Sequence, residues 1–229
     1  MRTIGGDAAA DVAGAVGALR AQVERMQGSR LETPVLPAPR ALAELLPGGG
    51  LRPGAAYSLG RSTSLLFALL ARPSQAGAWC AVVGVPHLGA EAARAAGVDL
   101  SRLVLVPDPG DRWLTVTAAL ADVLSVVAVR PPARAKDAEI TRLAARLRER
   151  ESVLLAQGPW PRVEAVIDVG DPVWSGLGAG FGLLEGRAVT VAATGRRFPA
   201  SRTCRVLLPD ATGGVSGALR DAAPLRAVG

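Results

Sequence analysis

Between residues 55 and 157, short apolar runs alternate with helix-forming stretches, and this alternation leaves the chain few ways to fold. Residues 55–60, 79–85, 103–107, 125–129 and 153–157 carry almost no charge and are bounded by glycine, proline, serine or charged residues, so they read as strands buried on both faces. Helical patterns lie between them at 65–71, 89–96, 114–124 and 137–150; in the last, Ile140, Leu143, Ala144 and Leu147 share one face. Parallel strands need long crossovers, and those crossovers are helical. The alternation therefore predicts an α/β fold with a twisted, largely parallel sheet and helices on both faces. After Gln157 the pattern changes. Residues 163–169, 188–193 and 204–208 read as strands with no helix between them, which predicts an antiparallel extension of the same sheet.

Upstream of the alternation, Val12, Val16, Leu19, Val23 and Met26 recur at steps of four and three, forming one stripe of an N-terminal helix that Gly28 ends. Pro34, Pro37 and Pro39 then mark an extended linker, and residues 47–54 are rich in turn formers. This organisation predicts an N-terminal helix and linker over 1–50, a core domain over 51–210 and a tail over 211–229. An isolated helix of this length is marginal in water, so the stripe either folds back on its own domain or docks on a partner. Val16, Leu19, Val23 and Met26 are its candidate partner-binding residues.

The formal charge of +6 comes almost wholly from arginine, a bias that fits a GC-rich genome as well as a nucleic-acid partner. Cys80 and Cys204 each sit in an apolar strand-like run, where buried thiols of a reducing compartment explain them better than a disulfide or a metal site. A single histidine, His87, argues against a zinc centre. No apolar run reaches the length of a membrane span, and the first residues lack the basic-then-apolar order of a signal peptide. A cytoplasmic protein with no membrane partner is the expectation.

The chain's one lysine, Lys136, does not follow a glycine-rich turn. The first strand-to-helix turn reads SLGRSTSLL, with Gly60 as its only glycine, followed by Ser62, Thr63 and Ser64. A phosphate-binding loop needs glycines so that backbone N–H groups can close around the β-phosphate, a lysine for charge, and a hydroxyl for magnesium. Only the hydroxyls remain, so the expectation is no nucleotide cofactor and no catalysis.

Three stretches carry a resemblance. CAVVGVPHLGAEAARAAGVDLSRLVLVPD at 80–108, LLAQ at 154–157 and GRAVTVAATGRRFPASRTCRVLLPD at 186–210 together resemble the RecA recombinase family. The resemblance implies a RecA-like core over 51–210. It also implies that Ser62 stands where the family has its phosphate-loop lysine, Pro86 where it has the catalytic glutamate, and Arg130 where an aspartate orients magnesium. Gln157 matches the nucleotide-sensing glutamine. With those positions replaced, the chain resembles a pseudo-ATPase, and the regions of the family's two DNA-gripping loops are reduced to 130–137 and 158–162.

The N-terminal helix, the lead-in LPGGGLRPG at 46–54 and the eroded loops are similar to the ImuA-type accessory factors of bacterial translesion mutagenesis, in their shortened actinobacterial form. That similarity implies a non-catalytic component that works with a Y-family-like polymerase homologue of the ImuB type and an error-prone C-family DNA polymerase, with RecA as a further partner. Rival readings are a divergent ATPase or recombinase, a modulator of a RecA filament, and a cell-division inhibitor of the SOS response. Arg196, Arg197, Arg202 and Arg205 bracket a predicted hairpin, where they meet a phosphate backbone or form a solvated basic edge. Trp113, Trp160 and Trp174 lie in or near predicted loops, as interface anchors, base-stacking platforms or ordinary packing.

Overall fold

The alternating apolar runs become neighbouring parallel strands. In chain order the elements are β1 (Leu36–Pro37), α1 (Arg40–Ala43), β2 (Gly50–Leu51), β3 (Ala56–Leu59), α2 (Thr63–Gln75), β4 (Cys80–Val83), α3 (Ala90–Ala95), β5 (Leu103–Val106), α4 (Trp113–Ala121) and β6 (Val126–Val129). They continue with α5 (Asp137–Arg150), β7 (Val153–Gln157), β8 (Ala165–Ser175), β9 (Gly186–Thr194), β10 (Arg202–Leu207) and β11 (Ser216–Gly217). This computed structural model describes residues 34–175, 186–195 and 200–218. The stripe Val16, Leu19, Val23 and Met26, together with Arg196 and Arg197, lies outside the described residues.

The main sheet has nine strands in the order β11-β10-β9-β8-β3-β7-β6-β4-β5. From β8 to β5 every pairing is parallel; β9, β10 and β11 add antiparallel strands at the other edge. The fold is thus α/β with a mixed, largely parallel sheet. Every residue of β4, β6 and β7 is buried, as strands covered on both faces require. On one face α2 packs Leu65, Leu66, Leu69 and Leu70 against the sheet beside Ala93 of α3. On the other, α4 and α5 contribute Trp113, Ala121, Ile140, Leu143 and Leu147. The helix predicted over 137–150 forms with those bounds because its apolar face is well spaced; Glu139 Oε2 accepts from Lys136 N (2.9 Å) at its start, and Glu151 adopts a left-handed φ of 54° at its end.

Three features differ from expectation. A compact unit begins at Val35, ahead of the boundary expected near residue 50. Leu42, Leu45 and Leu46 are each 2% exposed, and β1 pairs with β2, so apolar anchoring outweighs the proline and glycine signals of 34–50. The C-terminal tail expected from 211 likewise begins as part of the fold, with β11 paired to β10 and Gly213 packed closely on Ala95. Finally, β8 is parallel to β3, and the antiparallel extension starts at β9. No helix is needed between β7 and β8 because the strands are short: Gln157 and Ile167 both lie level with Leu59, and the connection doubles back only as far as Glu164, whose N–H donates to Ala56 O (2.8 Å).

Cys80 is fully buried, and desolvation pushes its thiol up to about 12. A folded-state pKa above the unfolded one means that this contribution to stability is complete below about pH 9 and is lost as pH rises toward 12, by as much as ~4 kcal/mol. Cys80→Ala should therefore flatten the alkaline limb of a urea-midpoint profile by about one proton. An unchanged slope would mean that the thiolate is tolerated in place.

Candidate functional site

Four strand ends and the loops that leave them build the site. The turn from β3 to α2 consists of Gly60, Arg61 and Ser62 alone. Ser62 caps α2, its Oγ accepting from Leu65 N (3.2 Å), so the first hydroxyl of the turn is engaged with its own helix. Gly60 N donates to Ile167 O (3.1 Å), and the Asp168 carboxylate lies where a Cβ on residue 60 would stand. A carboxylate against this turn opposes a phosphate in charge and in space. Thr63 and Ser64 form the first turn of α2, half-exposed.

The register of β3, β7 and β6 aligns the other two positions. Leu59 lies beside Gln157, and Val129 beside Ala156, so Arg130 leaves β6 level with Gln157. Its Nε and Nη2 donate to Gln157 Oε1 at 3.1 and 2.8 Å. Gln157 is 3% exposed, and its Nε2 in turn donates to Ser62 O at 3.5 Å. Arg130, Gln157 and Ser62 thus bond to one another in one network across the strand ends. Pro86 and His87 sit in an exposed turn after β4 and take no part in this network. A guanidinium donating two bonds to a buried amide contributes about 1.5–3 kcal/mol. In a double-mutant cycle of Arg130→Ala with Gln157→Ala, a coupling of about 1–3 kcal/mol is expected from urea denaturation. A coupling near zero would show that the bond holds nothing together.

Beside this network a cavity of about 1050 Å³ opens between residues 131–135 and 158–161, walled by Arg61, Arg134, Asp137, Gln157, Trp160 and Asp168. Its walls are braced. Ser58 Oγ donates to Gly158 O (2.7 Å), and Trp160 meets Trp113 edge to face, with ring centroids 6.3 Å apart and planes at 81°. Both rings are under 10% exposed, so neither offers a stacking face, and packing is their role. Among the described residues no group of three or more His, Cys, Asp and Glu side chains is arranged to hold a metal ion, and no helix is long and apolar enough to cross a membrane.

The family model of the MT3502 N-terminal domain matches residues 44–162, a span that runs from the end of α1 through the loop after β7 and includes the turn, Arg130 and Gln157. The chain belongs to the MT3502 N-terminal domain family. It is also similar to the uncharacterized protein Rv3395c of Mycobacterium tuberculosis (strain ATCC 25618 / H37Rv), 34% identical over 151 residues, which cover 64% of this chain and 74% of that protein.

Beyond the part matched by the MT3502 N-terminal domain, β10 separates the remaining arginines. Arg202 lies opposite Ala193 and Arg205 opposite Thr190, so the two point to opposite faces of the sheet. Arg202 Nη1 donates to Glu44 O (3.0 Å), and Arg205 Nη1 to Thr190 Oγ1 (3.2 Å). The two described members of the cluster therefore do not converge on one surface. Sequence reasoning missed Asp168, whose one signal was an acid at an outward position of an alternating strand, and it missed the pairing of Arg130 with Gln157, which only the strand order creates. Trp174, set apart from the cavity, is 51% exposed on β8.

Proposed function

We propose that this chain is a RecA-like pseudo-ATPase that acts in the cytoplasm as a non-catalytic adaptor in DNA-damage-induced, error-prone translesion synthesis. In this reading it is an ImuA-type factor that binds a Y-family-like polymerase homologue of the ImuB type and an error-prone C-family polymerase. The observation that carries it is the occupied strand-end site. A nucleotide would have to displace the Asp168 carboxylate from Gly60 and strip Gln157 from Arg130, at a turn too short to wrap a phosphate. The parallel sheet with its ligand crevice at the carboxyl ends of the strands supports the scaffold half of the reading, since this is where an α/β sheet ordinarily binds its ligand.

Two measurements on the purified full chain test it. Titration with each polymerase should give a saturable complex with the Y-family-like partner, and filter binding with radiolabelled ATP and magnesium should show no saturation. Saturable ATP binding would sink the pseudo-ATPase half, and the absence of a complex with either polymerase would sink the adaptor half.

A further inference from the structure

The sheet ends at β5, which pairs with β4 alone. Val106 O accepts from Gly84 N (2.9 Å), so Val106 and, by alternation, Val104 turn their backbone groups toward β4. Leu103, Leu105 and Pro107 turn theirs outward. The Leu103 N–H donates to Leu100 O, and Pro107 has no N–H, so Leu105 alone of these three offers both a donor and an acceptor to the open edge. A free edge is ordinarily blunted by a charge, a proline or a bulge, and Leu103–Val106 holds none of these.

The helix beside this edge is equally apolar. α4 packs on β4 and β6 with α5 along one side, so its other side faces the β5 edge. Its sequence, WLTVTAALA, carries no charge; Leu114, Val116, Ala118 and Leu120 are only partly buried, and Thr115 and Ala119 are exposed. A helix this apolar all round is ordinarily covered on every side. Leu105 is 40% exposed, and Leu100, just before β5, is 38% exposed. Charges flank the strand at its two ends. Arg102 holds Gly77 O through Nη1 (2.9 Å) with its guanidinium 5.9 Å from the Trp79 ring centroid, and Asp108 Oδ1 accepts from Gly110 N (3.3 Å).

We propose that this edge joins two copies of the chain, β5 to β5 in antiparallel pairing about a two-fold axis through Leu105. The two Leu105 residues then exchange both N–H···O=C bonds, Val104 stands opposite Val106, and Arg102 comes opposite Asp108 of the second copy at each end. An axis through Val104 would instead set Asp108 opposite Leu100. A two-fold axis perpendicular to the sheet keeps like faces together, so the uncharged α4 of each copy is brought toward the other. A lone extended peptide fits worse, because it finds few bonds along this edge and leaves α4 uncovered. Such a dimer needs no polymerase and stands or falls apart from the adaptor reading.

Sedimentation velocity of the purified full chain tests it, with a concentration-dependent monomer–dimer equilibrium as the expected result. Leu105→Lys and Leu105→Glu should each raise the dissociation constant at least roughly tenfold, because like charges would meet at the axis. An equimolar mixture of the two variants should associate again, since opposite charges then face each other. Val173→Lys, at an exposed valine of β8, should change nothing. Each variant alone should still melt cooperatively, because the substituted side chain is on the surface. A wild-type chain that stays monomeric at every concentration would overturn the inference, and protection of the Leu105 amide from hydrogen exchange in that monomer would assign the edge to a segment of the same chain. A dimer that both variants leave intact would overturn it in favour of another surface. Weakened variants that fail to associate when mixed would overturn the two-fold contact at Leu105.

Discussion

Tyr57→Ala is expected to lower the unfolding free energy by about 3–5 kcal/mol, a large share of the ~5–15 kcal/mol that holds an ordinary domain folded. Tyr57 is the largest fully buried side chain among the described residues, on β3 between Leu155 of β7 and Ala165 of β8. Its removal opens a cavity at an interior strand of the parallel part of the sheet, where neighbours tied into two ladders cannot collapse to fill it. Its hydroxyl accepts from Arg52 N (2.8 Å), and Tyr57→Phe, which keeps the ring and removes only the hydroxyl, should cost less, about 1–2 kcal/mol. Urea denaturation separates the two variants. A loss below ~1 kcal/mol for the alanine variant would mean that the core is not packed around this strand.

Gly84→Ala is expected to cost about 2–5 kcal/mol and to disturb the candidate site as well. Gly84 follows β4 with φ +74°, and an added Cβ would stand 2.6 Å from the Arg130 carbonyl oxygen. The left-handed backbone accounts for about 1–2 kcal/mol, and displacement of the β6 end for about 1–3 more. Because Arg130 N donates to Val83 O (2.9 Å), that displacement carries the guanidinium away from Gln157. Gly77 has φ +95° with nothing within 4 Å of its hypothetical Cβ, so Gly77→Ala should show the backbone cost alone, about 1 kcal/mol. Equal losses at the two positions would show that the contact with Arg130 is unimportant.

These expectations divide along the same line as what could be read from the residues. The strands β3 to β7 and the helix α5 were legible because burial on both faces demands continuous apolar runs and burial on one face demands a helical stripe. The domain start was misplaced because proline and glycine signals at 34–50 were read without Leu42, Leu45 and Leu46, which are buried in the same core as Val189, Val191 and Val206 far along the chain. Arg130 and Gln157 were each singled out, yet their bond was not foreseen. They are 27 residues apart, and only the adjacency of β6 and β7 at matched register brings them within 2.8 Å.

By itself the order of apolar runs determined that this chain forms a parallel sheet between two helical layers, because hydrophobic burial is set by local pattern and needs no knowledge of neighbours. That the first turn holds one glycine and no lysine was equally a property of the sequence. Tertiary structure alone decided what surrounds that turn. Strand order and register placed a carboxylate on Gly60 and a guanidinium on Gln157, and a bulge at Asp171 set Trp174 opposite Arg187. Such pairings depend on distances between residues that the chain's linear order leaves open, and they are resolved only when the sheet closes.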